Sequence, residues 1–171
     1  MPVSYAAGFF FGLAPFAGLH TDEGRVADIH FFCPSIPEKW KRQDIFFHLL
    51  GHLMGRKAGR RIPVVSDLPK ETTADQLKAL CAASAASGGV ELLHVVGVTP
   101  EAPTLQAVFR MGEVSEVTTD DLRAAHHELS NFNEGPLDAV ALGTPHFSLS
   151  EIAELVKLLD GRKVKAATYV S

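Results

Sequence analysis

The spacing of apolar residues predicts short strands alternating with amphipathic helices over most of the chain. Apolar runs at residues 62–65, 90–96, 138–142 and 164–170 have the length and the β-branched content of buried strands. Between them, apolar residues recur at helical spacing. Strands that alternate with helices pair in parallel through right-handed crossovers, and helices then cover both faces of the sheet. The pattern therefore predicts an α/β fold, a three-layer α/β/α sandwich with a mostly parallel sheet.

The first quarter of the chain is less regular. Residues 6–19 are almost wholly apolar and include three consecutive phenylalanines. This run is shorter than the ~20 residues of a membrane-spanning helix, and the residues before it lack the positive charge of a secretory signal. We expect residues 1–43 to form an irregular apolar segment that packs on the fold or on protein outside this chain. The α/β/α domain is expected over residues 44–171.

Composition narrows the classes of function. The chain has 171 residues and a net charge of −4, which favours neither nucleic-acid binding nor a basic membrane-binding surface. Its two cysteines, Cys33 and Cys81, fit no CxxC spacing and no disulfide framework, so a reducing compartment and a cytoplasmic location are expected. Two cysteines are also too few for an iron–sulfur cluster, which usually takes three or four. We expect no metal site built by this chain alone.

Three loops that follow predicted strands are rich in reactive groups, at residues 66–72, 97–104 and 143–148. Because parallel strands end at one edge of a sheet, we expect these loops to converge and to bind a small polar or anionic substrate there. The candidate catalytic residues are Thr144, His146 and Ser148, and the candidate substrate-binding residues are Asp67, Thr99 and Glu101.

Structural roles compete with these assignments. Ser148 and Glu151 form a capping box, which explains the serine as well as ligand contact does. Thr99 equally suits turn chemistry. His146 has the strongest claim, because a Gly-x-Pro loop gives little local reason for an imidazole.

Five other histidines are expected to be structural or exposed. His48 and His52 lie four residues apart on a predicted helix without an HExxH motif, so we expect a structural or surface role. His94 is expected in the core, and His126 and His127 at the surface.

Four segments resemble the aconitase X family. They are residues 55–69, 87–102, 139–155 with its Leu-x-Glu-x-x-x-Leu pattern, and 157–164. The resemblance runs from about Asp44 to Ser171 and is less clear before it. It implies the architecture of the aconitase superfamily.

The resemblance further implies a hydro-lyase, a dehydratase. Members are similar to enzymes that dehydrate cis-3-hydroxy-L-proline or mevalonate 5-phosphate. The complete enzyme would bind an iron–sulfur cluster and a small swivelling domain or subunit. The family's catalytic region is longer than this chain, and Thr144 stands where the pattern has a cysteine, so this chain alone is expected to hold no cluster.

The expected function is therefore one wall of the active-site cleft of an aconitase X-type dehydratase for a small hydroxy acid, with the remaining catalytic region as partner. A second reading, from a different class, is a non-catalytic α/β module that binds a small anion or docks a partner. A dinucleotide-binding fold is not favoured, because no GxGxxG follows a predicted strand.

Overall fold

The computed structural model describes residues 15–130 and 135–171. Its strands are β1 (Ile29–Phe32), β2 (Pro63–Val65), β3 (His94–Val95), β4 (Glu113–Glu116), β5 (Ala139–Leu142) and β6 (Ala167–Val170). Its helices are α1 (Glu38–Lys41), α2 (Asp44–Ala58), α3 (Ala74–Gly88), α4 (Leu105–Val108), α5 (Thr119–Leu129) and α6 (Leu149–Leu159). Two short 3₁₀ helices, Gly18–His20 and Glu23–Arg25, precede β1.

The strands form two parallel sheets. The larger has the order β3-β2-β1-β4, with Ile29 of β1 opposite Pro63 and Glu113 on its two sides. Among the described residues, strands β5 and β6 pair only with each other, with Ala139 opposite Ala167. The predicted α/β fold with parallel strands is confirmed, but the expectation that all three reactive loops leave one sheet edge is wrong. The loop after β5 belongs to the smaller sheet.

Strand β1 corrects the expected start of the domain. It precedes residue 44, yet it lies between β2 and β4, so a boundary at residues 43 and 44 would cut the sheet. Its Ile29 and Phe31 are fully buried. The prolines at positions 34 and 37 force a loop directly after this strand. The three consecutive phenylalanines lie outside the described residues, and Phe16 is 89% exposed.

Helices α2 and α3 pack closely against each other through small residues. A Cβ on Gly51 would lie 2.5 Å from the carbonyl oxygen of Leu80, and one on Gly88 would lie 1.8 Å from that of Gly55. The approach brings Leu50 and Leu80, both fully buried, over the face of the larger sheet. A smaller apolar cluster, which includes Val64 and Val108, covers the opposite face. Helices therefore flank this sheet on both sides.

Three helices begin with reciprocal capping boxes. The side chains of Thr73, Thr118 and Ser148 accept from the amides of Gln76, Asp121 and Glu151. Such boxes satisfy amides that have no partner inside the helix. The box of Ser148 and Glu151 is the one expected from the sequence. No helix in the described part of the chain combines the length and apolarity needed to cross a bilayer.

The described residues thus fall into two parts. The first region, residues 27–129, contains the larger sheet with α1 to α5. The second region, residues 135–171, contains β5, α6 and β6. Contacts between the two regions form the candidate site.

Candidate functional site

The exit loop, residues 143–148, turns the chain from β5 into α6. Gly143 has φ of +90°, and a Cβ there would lie 2.3 Å from the carbonyl oxygen of Ser171, so the turn requires glycine. The amide of Phe147 donates to that same oxygen over 2.8 Å. The Ser171 hydroxyl in turn donates to the carbonyl of Gly143 over 2.7 Å. Ser171, which directly follows β6, therefore holds the loop near both of its ends.

A cavity of about 280 Å³ lies where the exit loop meets α2 and α3. Its polar lining residues are His48 from α2, Lys78 from α3, Thr144 from the loop and Glu151 from α6. The apolar part of the lining includes Phe147. This size and this mixture of apolar wall and few polar groups suit a small molecule. The cavity is the candidate functional site.

Lys78 connects the two regions beside this cavity. Its ammonium donates to the carbonyl oxygen of His146 over 2.9 Å and to Oε2 of Glu151 over 2.5 Å, and it lies 3.1 Å from Oδ1 of Asp75. Hydrogen bonding to Glu151 raises the pKa of Lys78. The same contact lowers the pKa of Glu151, with the Ser148 amide as the next cause. Each group therefore favours the charged form of the other.

Ser148 is engaged by the protein itself. Its hydroxyl accepts from the amide of Glu151 and donates to Oδ2 of Asp75 over 2.8 Å. Ser150 also donates to Oδ2 of Asp75, over 2.9 Å. Hydrogen bonds from Ser148 and then Ser150 lower the pKa of Asp75. The structure thus gives Ser148 the capping role and a contact between the regions, and Ser148 does not line the cavity.

The other two catalytic candidates differ in position. Thr144 lines the cavity. His146 is exposed, and it reaches α3 through its backbone carbonyl, which Lys78 holds. Catalytic roles for these residues stay predictions.

Thr99 and Glu101 lie elsewhere. The Thr99 hydroxyl accepts from the amide of Val95 and lies 3.1 Å from its carbonyl oxygen, which closes the turn after β3. Glu101 pairs with Arg25, and its Oε2 lies 3.9 Å from Nδ1 of His94. The cavity beside Glu101, about 340 Å³, shares no lining residue with the cavity at Thr144. As expected, His94 is a buried core histidine, whose Nε2 donates to the carbonyl of Arg25.

Asp67 follows β2 at the carboxyl edge of the larger sheet. It is exposed and has a φ of +64°, in the left-handed region. The preceding Ser66 contacts Nε2 of His30 through its hydroxyl, over 2.8 Å. Burial lowers the pKa of His30, and the carboxylate of Asp67 opposes this shift. The six predicted site residues are therefore divided among three places, and only Thr144 lines the cavity between the regions.

Sequence reasoning missed three residues of this cavity, namely His48, Lys78 and Glu151. Lys78 and Glu151 are 73 residues apart, and no local motif links them. His48 was paired with His52 by helical spacing, but the structure separates their roles. His52 is buried, and its Nδ1 contacts the hydroxyl of Ser87 over 2.8 Å. That contact agrees with the structural role expected for His52, whereas His48 faces the cavity.

The described residues offer little to a metal. Within residues 15–130 and 135–171, no three His, Cys, Asp or Glu side chains are grouped so as to hold an ion. Cys33 is fully buried, and burial raises the pKa of its thiol to about 12, which disfavours the thiolate that metals bind. Partial burial also raises the pKa of the Cys81 thiol.

Comparisons with known proteins agree on one family. A family model described as the aconitase X second domain matches residues 28–127. The cis-3-hydroxy-L-proline dehydratase of Pseudomonas aeruginosa is 39% identical over 156 residues, which are 89% of this chain and 26% of that protein. The phosphomevalonate dehydratase large subunit of Methanocaldococcus jannaschii is 32% identical over 169 residues, which are 98% of this chain and 42% of that protein.

The fold agrees as well. The crystal structure of Thermococcus kodakaraensis aconitase X in its holo-form superposes with a TM-score of 0.80 at 30% identity. The match covers 96% of this chain and 41% of that one. This chain therefore spans less than half the length of the relatives it matches. From the second-domain match and from the shared fold, the chain belongs to the aconitase X family.

Proposed function

We propose that this chain is part of a hydro-lyase that dehydrates a small hydroxy acid, such as cis-3-hydroxy-L-proline or mevalonate 5-phosphate. In this proposal the chain forms one wall of the active-site cleft, and the remaining catalytic region and a small swivelling domain or subunit form the rest. Two relatives carry the names of dehydratases for these two substrate types, which supports the reaction class. The observation that carries the proposal is the cavity between the two regions, lined by Thr144 and His48.

Dehydration of a hydroxy acid removes a proton next to an acidifying group and expels hydroxide. A base must reach that proton, and an acid must assist the leaving hydroxyl. In the cavity, the imidazole of His48 can accept or donate a proton, and the hydroxyl of Thr144 can hold a substrate oxygen. We assign these two roles to His48 and Thr144. His146, at the exposed side of the same loop, is kept as a candidate for a proton transfer from the solvent side.

An iron–sulfur cluster is the cofactor that the family resemblance implies, and this chain's cysteines do not fit it. Cys33 has a thiol pKa raised to about 12, and it lies in the core rather than in the cavity. Cys81 is likewise absent from the cavity lining. Any cluster of the complete enzyme is therefore assigned to residues outside this chain, and the roles above involve no step at a metal.

The test is a pair of substitutions in the complete enzyme. His48→Gln keeps a similar shape without proton transfer, and Thr144→Val removes only the hydroxyl. We expect His48→Gln to lower kcat by a factor of about 10² to 10⁴, the usual contribution of a general acid or base. Thr144→Val is expected to act mainly on KM. His127→Gln, at an exposed histidine of α5, is the matched control and leaves both constants unchanged.

Two results would contradict this proposal. If His48→Gln and His127→Gln had the same kcat and KM, the cavity would not be the reaction site. If the chain bound small hydroxy acids but showed no turnover with the remaining catalytic region added, the non-catalytic binding module would be the better description.

A further inference from the structure

The exit loop is held against the first region by polar contacts. The junction consists of Asp75 and Lys78 on α3 and of Ser148, Ser150 and Glu151 at the start of α6. Between residues 135 and 171 only Gly143 is buried, so this region contributes no buried side chain to a shared core. Because no side chain of the second region is fully buried, directional hydrogen bonds and ion pairs have a large part in fixing the position of the loop.

Lys78 is engaged within the protein by two hydrogen bonds and one ion pair. An ammonium group carries three N–H donors. Lys78 has three acceptors within reach, the carbonyl of His146, Oε2 of Glu151 and Oδ1 of Asp75. The carboxylates of Asp75 and Glu151 together carry one more negative charge than the Lys78 ammonium neutralises. This arrangement argues against Lys78 as a binding site for a substrate anion.

The three acceptors lie on both sides of the cavity. Asp75 is on α3 with Lys78 itself, whereas the carbonyl of His146 and the carboxylate of Glu151 belong to the second region. The carbonyl of His146 is two residues from Thr144, within the same short loop. Displacement of Lys78 would release this loop from α3, and the Thr144 hydroxyl would lose its place in the cavity wall.

We propose that Lys78 is a positioning residue that holds the exit loop, and with it Thr144, against the cavity between the two regions. The proposal rests on the proposed function for the role of the cavity, but the loop contact itself is independent of any reaction. The residue acts through the loop and does not touch the reacting atoms.

The first part of the test measures the loop directly, by amide hydrogen exchange of the 171-residue chain. The reporters are the amides of Phe147, Ser148, Glu151 and Ile152, all hydrogen-bonded at the loop or the start of α6. We expect Lys78→Met to raise their exchange rates about fivefold or more. Amides in the middle of α2 should keep their rates, because the hydrogen bonds and ion pairs of Lys78 are made to α3, the exit loop and α6.

Matched variants test whether the effect depends on the location of Lys78 or only on the loss of a positive charge. Lys157→Met removes a lysine of α6 that forms an ion pair with Glu154, three residues before it on the same helix. This substitution should leave the reporter amides unchanged. Lys78→Arg keeps donors for both carboxylates and should restore most of the protection. Glu151→Gln weakens the junction from the other side and should raise exchange at the same amides by a smaller factor.

The second part of the test uses the complete enzyme. Lys78→Met should lower kcat/KM, and Lys78→Arg should restore it, whereas Lys157→Met should change nothing. Equal exchange in Lys78→Met and Lys157→Met would overturn the proposal, as would a rise spread evenly over α2 and α3. If no variant of the complete enzyme turned over substrate, the proposed function would fail, while the exchange result would still decide the role of Lys78.

Discussion

The two regions of this chain are held together in different ways. In the first region, apolar side chains from α2, α3 and α5 are buried on one face of the larger sheet, and Leu50 and Leu80 are fully buried. In the second region, Leu158 of α6 is 63% exposed and Tyr169 of β6 is 67% exposed. A groove of about 690 Å³ lies between α6 and the small sheet.

This difference explains where the candidate site lies. A tightly packed region supplies His48 and Lys78 on rigid helices, and a weakly packed region supplies Thr144 on a loop. Binding and catalytic residues often lie on loops that a rigid scaffold holds in position. Several apolar side chains of α6 and the small sheet are exposed, among them Val156, Leu158 and Tyr169, and contiguous exposed apolar surface is typical of protein contacts. The relatives, which are longer than this chain, are consistent with such a contact.

The largest expected difference between the regions comes from one substitution made in each. Leu50→Ala removes a fully buried side chain and should lower the free energy of unfolding by about 2–5 kcal/mol. Leu158→Ala makes the same chemical change at an exposed position and should alter it by less than about 0.5 kcal/mol. Urea unfolding followed by circular dichroism measures both. Similar losses for the two variants would contradict the contrast between the regions.

A smaller effect is expected where α2 and α3 meet. Gly51→Ala places a methyl group 2.5 Å from the carbonyl oxygen of Leu80, so the helices must separate. We expect a loss of about 1–2 kcal/mol in the free energy of unfolding, net of the ~1 kcal/mol that alanine gains over glycine inside a helix. Thermal and urea unfolding would measure it. A stabilised variant would mean that the two helices do not approach this closely.

Acid should loosen the second region before the first. The pKa values of Asp75 and Glu151 are lowered in the folded protein. These carboxylates therefore stabilise the folded state at any pH above their ordinary pKa values of 3.8 and 4.5. That contribution is lost as the pH falls through the lowered values. The raised pKa of Lys78 keeps the lysine charged throughout this range. Exchange at Phe147 and Ile152, corrected for the intrinsic rate, should rise between about pH 5 and pH 2. Constant protection there would exclude the junction as the cause.

The smallest expected effect is a difference in labelling rate between the two cysteines, and its measurement requires no mutation. Cys33 is fully buried with a thiol pKa of about 12, and Cys81 is at the surface. A thiol reagent at neutral pH should therefore modify Cys81 first and Cys33 only when the first region opens. Timed labelling followed by mass spectrometry resolves the two sites. Rapid modification of Cys33 would show that the first region is not closed around β1.

Local signals in the sequence predicted the helices well. The helix predicted to carry His48 and His52 is observed as Asp44–Ala58, because its apolar positions at helical spacing face the core. Ser148 begins α6 as the capping box predicts. The strand expected over residues 90–96 is observed only as His94–Val95. It pairs with β2 over these two residues, and the chain then turns at Gly97, which has a φ of +73°.

The sequence did not predict which strands pair with each other. An apolar run such as residues 139–142 predicts a strand but not its partner, and β5 pairs with β6 instead of joining the larger sheet. The expected convergence of Thr144 with Asp67 and Thr99 failed for that reason. Likewise, nothing near Lys78 in the sequence indicates Glu151 as its partner. The candidate site could be predicted as a loop, but its opposite wall required the structure.

Native-state hydrogen exchange over the whole unmodified chain would show whether the two regions open separately. We expect amides of β1 and α2 to exchange only through global unfolding, and amides of β5, α6 and β6 to exchange faster by opening of the second region alone. Addition of the remaining catalytic region should then slow the second set and leave the first unchanged. Equal protection of both sets in the chain by itself would contradict the account, because the two regions would then unfold as one unit.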